Sequence, residues 1–93
     1  MNRPELITRI AQEQNCTKRE ARQAVEYVTA GLESALLDGI SVTISGFGTF
    51  KVLHMPEHNY RHPVTGKLET KEAHQSIRFI PSRRIAEQVE RKP

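Results

Sequence analysis

The chain has 93 residues, the length of one domain, which excludes an enzyme built from two domains with a cleft between them. Hydrophobic residues make up 37% of the sequence and there is no Trp, so a large self-sufficient core is not expected. We therefore expect the chain to form a dimer. Fourteen Lys and Arg against eleven Asp and Glu give a net charge of +3, which favours an acidic partner such as nucleic acid.

Cysteine usage and hydropathy indicate the compartment. Cys16 is the one cysteine, so an intrachain disulfide and a cysteine-based zinc cluster are excluded, as is typical of a reducing cytoplasm. The first residues lack the pattern of a signal peptide, and no apolar run approaches the roughly 18 residues of a membrane span. We therefore expect a cytoplasmic protein without a membrane partner.

The first part of the chain predicts two amphipathic helices. Asn2 is a suitable N-cap for the first helix, and Asn15 is suited to the left-handed conformation that ends it. Thr17 and Glu20 have the spacing of a capping box, so a second helix is expected to begin directly after Thr17. Its apolar residues recur at three and four positions until Asp38-Gly39, and the two helices should form an antiparallel pair.

The hydrophobic period changes from 3.6 to 2 after the second helix, which indicates strands. One strand is expected over residues 40–44 and a second over residues 49–53, joined by a tight connection at Gly46-Phe47-Gly48. A third strand is expected around Ile77-Arg78-Phe79. The rings of the three phenylalanines are assigned to the core: Phe47, Phe50 and Phe79.

A last helix is predicted over residues 82–91, with Ser82 as its N-cap. The whole chain, residues 1–93, is then one domain of the α+β class, with a three-stranded antiparallel sheet within residues 40–80.

The polar segment 53–76 predicts an extended β-ribbon arm. Its hairpin tip is expected at residues 61–67, where Pro63 and Gly66 suit a turn. An isolated ribbon is marginal in water and normally needs a partner, and a nucleic-acid groove would supply one. A flexible surface loop is the alternative interpretation.

Two motifs resemble those of the bacterial HU and integration host factor family of DNA-bending proteins. Gly46-Phe47-Gly48-Thr49-Phe50 matches the family motif GFGxF, and Arg61-His62-Pro63-Val64-Thr65-Gly66-Lys67 matches RNPxTG, except that His62 replaces Asn. The resemblance extends from Asn2 to about Val89, with the same order and spacing of elements.

The resemblance implies an intertwined dimer with a helical base, a sheet saddle and two β-ribbon arms that wrap double-stranded DNA through its minor groove. Residues 1–38 would be the helical dimerisation part. The implied function is DNA binding and bending with little or no sequence specificity in the bacterial nucleoid, without catalysis, cofactor, metal or small-molecule substrate. A homodimer is expected, although a heterodimer with a sequence preference is a second possibility.

The resemblance also implies which residues contact DNA. Pro63 would wedge between base pairs and kink the duplex, since its ring is rigid and apolar and it has no N–H to leave unpaired. Arg61 and Lys67 flank this wedge and should meet phosphates or minor-groove edges. The other expected DNA-binding residues are His62 at the tip, Lys71 on the returning strand, Lys51 in the sheet, Arg3 at the first helix, and Arg83 and Arg84 at the last helix, whose N-terminus favours a phosphate.

The arm departs from the family pattern in its charge. No Lys or Arg precedes Arg61 on the outgoing strand, and all four histidines lie in the arm: His54, His58, His62 and His74. Because histidine titrates near pH 6.5, we predict that DNA affinity rises as the pH falls from about 8 to about 6. The alternatives are that these are simple polar residues, that they bind a metal, or that the neutral arm contacts a protein instead of DNA. Positions four apart on a strand disfavour the metal.

Overall fold

The structure, a computed structural model, describes residues 1–92 and has the α+β architecture that the sequence predicts. Three helices are described: α1 (Arg3–Glu13), α2 (Lys18–Leu37) and α3 (Arg83–Arg91). The strands are β1 (Val42–Ile44), β2 (Gly48–Met55), β3 (His58–Arg61), β4 (Leu68–Lys71) and β5 (His74–Pro81). Across residues 1–92, no helix is both long enough and apolar enough to cross a membrane.

Short polar side chains set the starts of α1 and α2. The Asn2 side chain accepts a hydrogen bond from the N–H of Glu5 at 3.0 Å, and Thr17 Oγ1 accepts one from the N–H of Glu20 at 3.0 Å. In a capping box, the Glu20 carboxylate would also accept from the backbone N–H of Thr17. In the structure it accepts from the Thr17 hydroxyl instead, at 3.2 Å. Asn15 has a φ of 54°, the left-handed conformation predicted for the end of α1.

A Schellman motif ends α2 and corrects the predicted start of the first strand. The N–H of Gly39 donates to the carbonyl of Leu36, and the N–H of Ile40 donates to the carbonyl of Ala35 at 2.9 Å. Gly39 has a φ of 75°, which glycine adopts without strain. Ile40 was therefore wrongly assigned to the strand: its N–H closes the helix end, and β1 begins at Val42.

The three-stranded sheet has the order β1-β2-β5, with both pairs antiparallel. Its register places six apolar side chains on one face, because alternate residues of a strand share a face: Val42, Ile44, Phe50, Val52, Ile77 and Phe79. The opposite, more polar face carries Thr49, Lys51, Ser76 and Arg78 beside the apolar residues Leu53 and Ile80.

Little of this apolar surface is buried within one chain. The buried core consists of Ile7, Ala11 and Ala21, where α1 and α2 pack together. The phenylalanine rings pack against one another, with centroids 4.9 Å apart for Phe50 and Phe79. Phe79 nevertheless remains 43% exposed and Phe47 45% exposed in the single chain, whereas Phe50 is half-buried.

The arm is a ribbon in two parts. The β2–β5 ladder continues outward to the pair Met55↔His74, and β3 and β4 then form a separate ladder that ends at Arg61↔Leu68. Pro56 follows β2 directly, and since proline cannot donate to a ladder, the pairing is interrupted there. The radius of gyration is 18.5 Å, against about 12 Å for a compact domain of this length, so the chain is strongly elongated.

Candidate nucleic-acid interface

A network of backbone hydrogen bonds closes the tip of the arm. The N–H of His62 donates to the carbonyl of Lys67 at 2.8 Å, and the N–H of Gly66 donates back to the carbonyl of His62 at 2.9 Å. Gly66 has a φ of 71°, where a side chain would be strained. The tip is thus a defined turn rather than a flexible loop.

The side chain of His62 takes part in this turn. Its Nδ1 lies 3.2 Å from the backbone nitrogen of Val64 and 3.3 Å from that of Thr65, and both N–H groups donate to it. An Nδ1 that accepts is unprotonated, so the neutral ring carries its proton on Nε2. His62 therefore stabilises the turn with a nitrogen lone pair.

The side chain of Arg61 also stabilises the turn. Its Nη1 donates to the carbonyl of Gly66 at 2.9 Å, which ties the end of β3 to the far side of the tip. A guanidinium has five N–H donors, so this contact leaves others for a phosphate or a base edge. The expected DNA contact and the observed structural contact are compatible.

The turn presents apolar atoms to solvent. Pro63 is exposed, and the neighbouring Val64 is 87% exposed, as is expected for a side chain that a partner covers. Arg61 and Lys67 flank the pair in sequence, so apolar atoms lie between two cations. Val64 is not among the DNA-binding residues predicted from the sequence, although an apolar residue next to Pro63 in an otherwise polar segment is a usable signal.

Cross-strand pairs join the two strands of the arm behind its tip. The Tyr60 hydroxyl donates to Glu69 Oε2 at 3.0 Å, and the Thr70 hydroxyl donates to Asn59 Oδ1 at 2.7 Å. The hydrogen bond to Glu69, and then the charge of that carboxylate, raise the pKa of Tyr60 above its ordinary value of 10.0. Lys71, a predicted DNA contact, is exposed opposite His58 at the base of this ladder.

Lys51 lies on the polar face of the sheet, and the structure adds a second cation to it. Arg78 is the register partner of Lys51 across β2 and β5, and both side chains are exposed. Arg78 is not among the predicted DNA-binding residues, although it lies between two apolar residues of β5 and alternation alone places it on the polar face. Together the two cations make this face attractive to phosphates.

The start of α3 is joined to the glycine turn before β2. The Ser82 hydroxyl donates to the carbonyl of Gly46 at 3.0 Å, and Arg84 Nη2 donates to the same oxygen at 3.0 Å. Ser82 also caps α3, since its Oγ accepts from the N–H of Ile85, as predicted. Arg83 Nε donates to Glu87 at 2.9 Å, yet its side chain stays 91% exposed. The structure thus fixes Arg84 against the turn and leaves Arg83 accessible.

Arg3 lies apart from the arm, on the helical part of the chain. Its Nη2 is 3.9 Å from Glu26 Oε1 on α2, a weak exposed ion pair. Lys18 and Arg22, four residues apart on α2, line the same depression as Arg3. These two cations were not among the predicted contacts, and only the packing of α1 on α2 brings them beside Arg3.

Two other histidines of the arm also contact the backbone. His58 Nδ1 lies 3.2 Å from the carbonyl of Pro56, and His74 Nδ1 lies 3.0 Å from the carbonyl of Glu72. A carbonyl accepts, so a protonated Nδ1 suits both positions. Within residues 1–92, no three His, Cys, Asp or Glu side chains come together to hold a metal ion.

Comparison with known proteins gives consistent results. The family model for bacterial DNA-binding proteins matches residues 1–90. The DNA-binding protein HU-alpha of Escherichia coli is 42% identical over 67 residues, which cover 72% of this chain and 74% of that protein. HU-alpha of Vibrio cholerae is 43% identical over the same shares of both chains.

Solved structures agree with the sequence comparison. The chain superposes on Anabaena HU in a cocrystal with DNA with a TM-score of 0.83 and 25% identity, over 99% of this chain and 100% of that one. A Thermotoga maritima HU mutant gives a TM-score of 0.68 with 24% identity, over 96% and 99% of the two chains, and supports the fold. The family is one of DNA-binding proteins and not of enzymes, as the sequence predicts. The chain therefore belongs to the bacterial DNA-binding protein family whose members include HU.

Proposed function

We propose that this protein is an architectural DNA-binding protein that bends double-stranded DNA with little or no sequence specificity. The closed tip of the arm is the observation that carries the proposal: it holds Pro63 exposed on a fixed turn with Arg61 and Lys67 on either side. Apolar side chains on such a tip unstack a base step in the minor groove and kink the duplex.

The energetics of bending support different roles for the apolar residue and the cations of the arm. Unstacking costs a few kcal/mol per step, and the additional contacts that bent DNA makes with the protein offset this cost. Arg61, Lys67 and Lys71 would supply phosphate contacts along the arm, and Lys51 with Arg78 would supply them on the sheet. Such contacts position the protein without reading base sequence.

Flanking DNA would then meet the remaining predicted cations. Arg83 is accessible at the start of α3, where free N–H groups and the helix dipole favour a phosphate. Arg84 points one guanidinium nitrogen at Gly46 and would contribute mainly by fixing this corner. Arg3 would reach flanking backbone from the helical base, with Lys18 and Arg22 beside it.

The functional unit in this proposal is an intertwined dimer, with identical subunits as the first expectation. Residues 1–38 form its helical base, residues 42–81 form the sheet with the arm at about 53–76, and residues 83–91 form the last helix. The apolar sheet face and a groove of about 350 Å³ beside Leu32, Leu36 and Ile77 are open in one chain. Because a chain of this size cannot leave so much apolar surface in water, a second copy would cover it. We place the protein in the cytoplasm, at the nucleoid.

Binding and stoichiometry test the proposal together. Sedimentation of the purified chain should give a dimer, and fluorescence anisotropy should show similar affinity for two duplexes of unrelated sequence. Affinity should fall with salt, with a log-log slope of about 0.9 for each phosphate contact. A folded dimer that binds neither duplex would overturn the proposal and favour a protein-docking role for the neutral arm. A chain that dimerises only with a different subunit, and then prefers one sequence, would replace the homodimer with the heterodimeric alternative.

A further inference from the structure

The histidine at the arm tip is placed differently from the other arm histidines that contact backbone. At His62, two backbone N–H groups point at Nδ1, from Val64 and Thr65. At His58 and His74, a backbone carbonyl faces Nδ1 instead. One position therefore requires a lone pair on the ring nitrogen, whereas the other two accommodate a proton there.

Protonation removes that lone pair. An imidazolium carries N–H groups on both nitrogens and accepts at neither, so the N–H groups of Val64 and Thr65 would face a third N–H. Histidine is the side chain whose ordinary titration falls between pH 5 and 8. The remaining bonds of the turn are those from Arg61 to the Gly66 carbonyl, from the Lys67 N–H to the Thr65 hydroxyl, and between the backbones of His62, Gly66 and Lys67.

The charged residues next to His62 in the tip are both cations. Arg61 precedes it, Lys67 is its backbone partner, and no carboxylate lies within residues 61–68. The nearest acidic residue on the paired strands is Glu69, which already accepts the Tyr60 hydroxyl. The other titratable groups of β3 and β4 lie at the base of the ladder: His58 and Lys71.

We propose that His62 is a positioning residue for Pro63: its neutral imidazole closes the tip turn, and its protonation opens the turn. The consequence for DNA rests on the proposed function. Acidification would then increase attraction to phosphate through the other arm histidines while it releases the wedge that bends the duplex. Binding and bending should therefore respond to pH with opposite signs.

The first test uses the free protein and nuclear magnetic resonance. At pH 8, the nitrogen resonances of the His62 ring should show an unprotonated Nδ1 and a protonated Nε2. The amide resonances of Val64 and Thr65 should shift with the same midpoint as the His62 ring when the pH falls to 5. Amides that stay unchanged while the ring titrates would overturn the proposal.

His62→Asn is the matched variant, because its side-chain oxygen can accept from the same N–H groups and does not titrate. In this variant the two amides should keep their high-pH positions across the range. His62→Ala should show the open-turn positions at every pH. A His62→Asn protein whose amides titrate as in the parent protein would show that another group causes the change, and would contradict the assignment.

The second test follows bending at saturating protein by energy transfer between the ends of a duplex. Transfer in the parent complex should decrease between pH 8 and pH 5.5, and the His62→Asn complex should lose this decrease. Equal pH dependence in both would contradict the proposal. Absence of DNA binding at every pH would overturn the proposed function instead, and the amide resonances would still decide the role of His62.

Discussion

Gly48 and Phe79 are in such close contact that no side chain fits between them. A Cβ at Gly48 would lie 2.7 Å from ring carbons Cε1 and Cζ of Phe79 and 2.7 Å from the carbonyl oxygen of Ile80. The ring is in turn packed against Phe50 and Phe47, with centroids 4.9 and 5.5 Å away, and the Ile80 oxygen belongs to the backbone of β5, so rotation of a side chain cannot relieve that contact. The second glycine of the turn before β2 is therefore required by packing.

Gly48→Ala should accordingly destabilise the protein by about 1–3 kcal/mol, the usual cost of forcing extra volume into a packed site. Denaturant unfolding measures this change. Gln88→Ala is the control, because Gln88 is an exposed residue of α3, outside the proposed helical base, and alanine favours a helix. Equal stability of Gly48→Ala and the parent protein would show that the Phe79 ring moves aside.

Arg61 has two roles, so its replacement should have two effects. Arg61→Ala removes one phosphate contact from each of the two arms of the dimer, so the log-log salt slope of DNA binding should decrease by about 0.9 per contact, or about 1.8 in all. It also removes the bond to the Gly66 carbonyl, so the amide resonances of the tip should change in the free protein. Arg9→Ala is the control, because Arg9 pairs with Glu13 on α1. A normal salt slope in Arg61→Ala would exclude the phosphate contact.

Pro63 should matter more for bending than for affinity. Pro63→Ala keeps the cations of the tip and removes most of the rigid ring, so the bend should decrease while the dissociation constant changes less. Parallel binding and energy-transfer titrations separate the two quantities. Equal losses in both would exclude the wedge assignment.

The hydrogen bond between Tyr60 and Glu69 should be detectable in the titration of the Tyr60 phenol. The phenol donates to the carboxylate, so its pKa is raised, and Glu69→Gln should lower the midpoint toward 10.0. Folding favours the neutral phenol. The contribution of the Tyr60–Glu69 hydrogen bond to the free energy of unfolding is therefore complete below pH 10 and is lost as the pH rises through the raised pKa of Tyr60. Tyrosinate absorbance in a Tyr27→Phe background isolates Tyr60, because the chain has two tyrosines. An unchanged midpoint in Glu69→Gln would contradict the pair.

The overall charge of the arm predicts that DNA affinity rises between pH 8 and pH 6. Nδ1 of His58 and Nδ1 of His74 face backbone carbonyls, so a proton there removes no accepted N–H. His54 is the third arm histidine outside the tip. A triple replacement of these residues by Gln should flatten the pH dependence of the dissociation constant. Persistence of the full dependence in the triple variant would assign it to another group.

Local features of the fold were predictable from the sequence because neighbouring residues determine them. The N-caps Asn2, Thr17 and Ser82 bind N–H groups three residues ahead, so spacing alone identifies them. The alternation of residues 42–44 and 77–79 likewise fixed which side chains share a sheet face. Ile40 was misassigned because an apolar residue after a Schellman glycine continues the same alternation.

The candidate site was only partly predictable from the sequence. Its chemistry depends on which residues the strand register brings together and on the directions in which backbone N–H groups point. The pairing of Lys51 with Arg78 requires the register of β2 and β5. The sequence indicated that His62 could carry charge, but its role as an acceptor depends on the directions of two backbone N–H groups. The exposure of Phe79 reflects a covering layer that a single chain does not contain.

Energy transfer between the labelled ends of a duplex of about 35 base pairs, on the order of three helical turns, tests the central claim most directly. Titration with the purified protein at pH 8 should bring the ends together as the complex forms, and Pro63→Ala should bind with less approach of the ends. A dimer that binds the duplex and leaves the end-to-end distance unchanged would contradict the claim that the arms bend DNA.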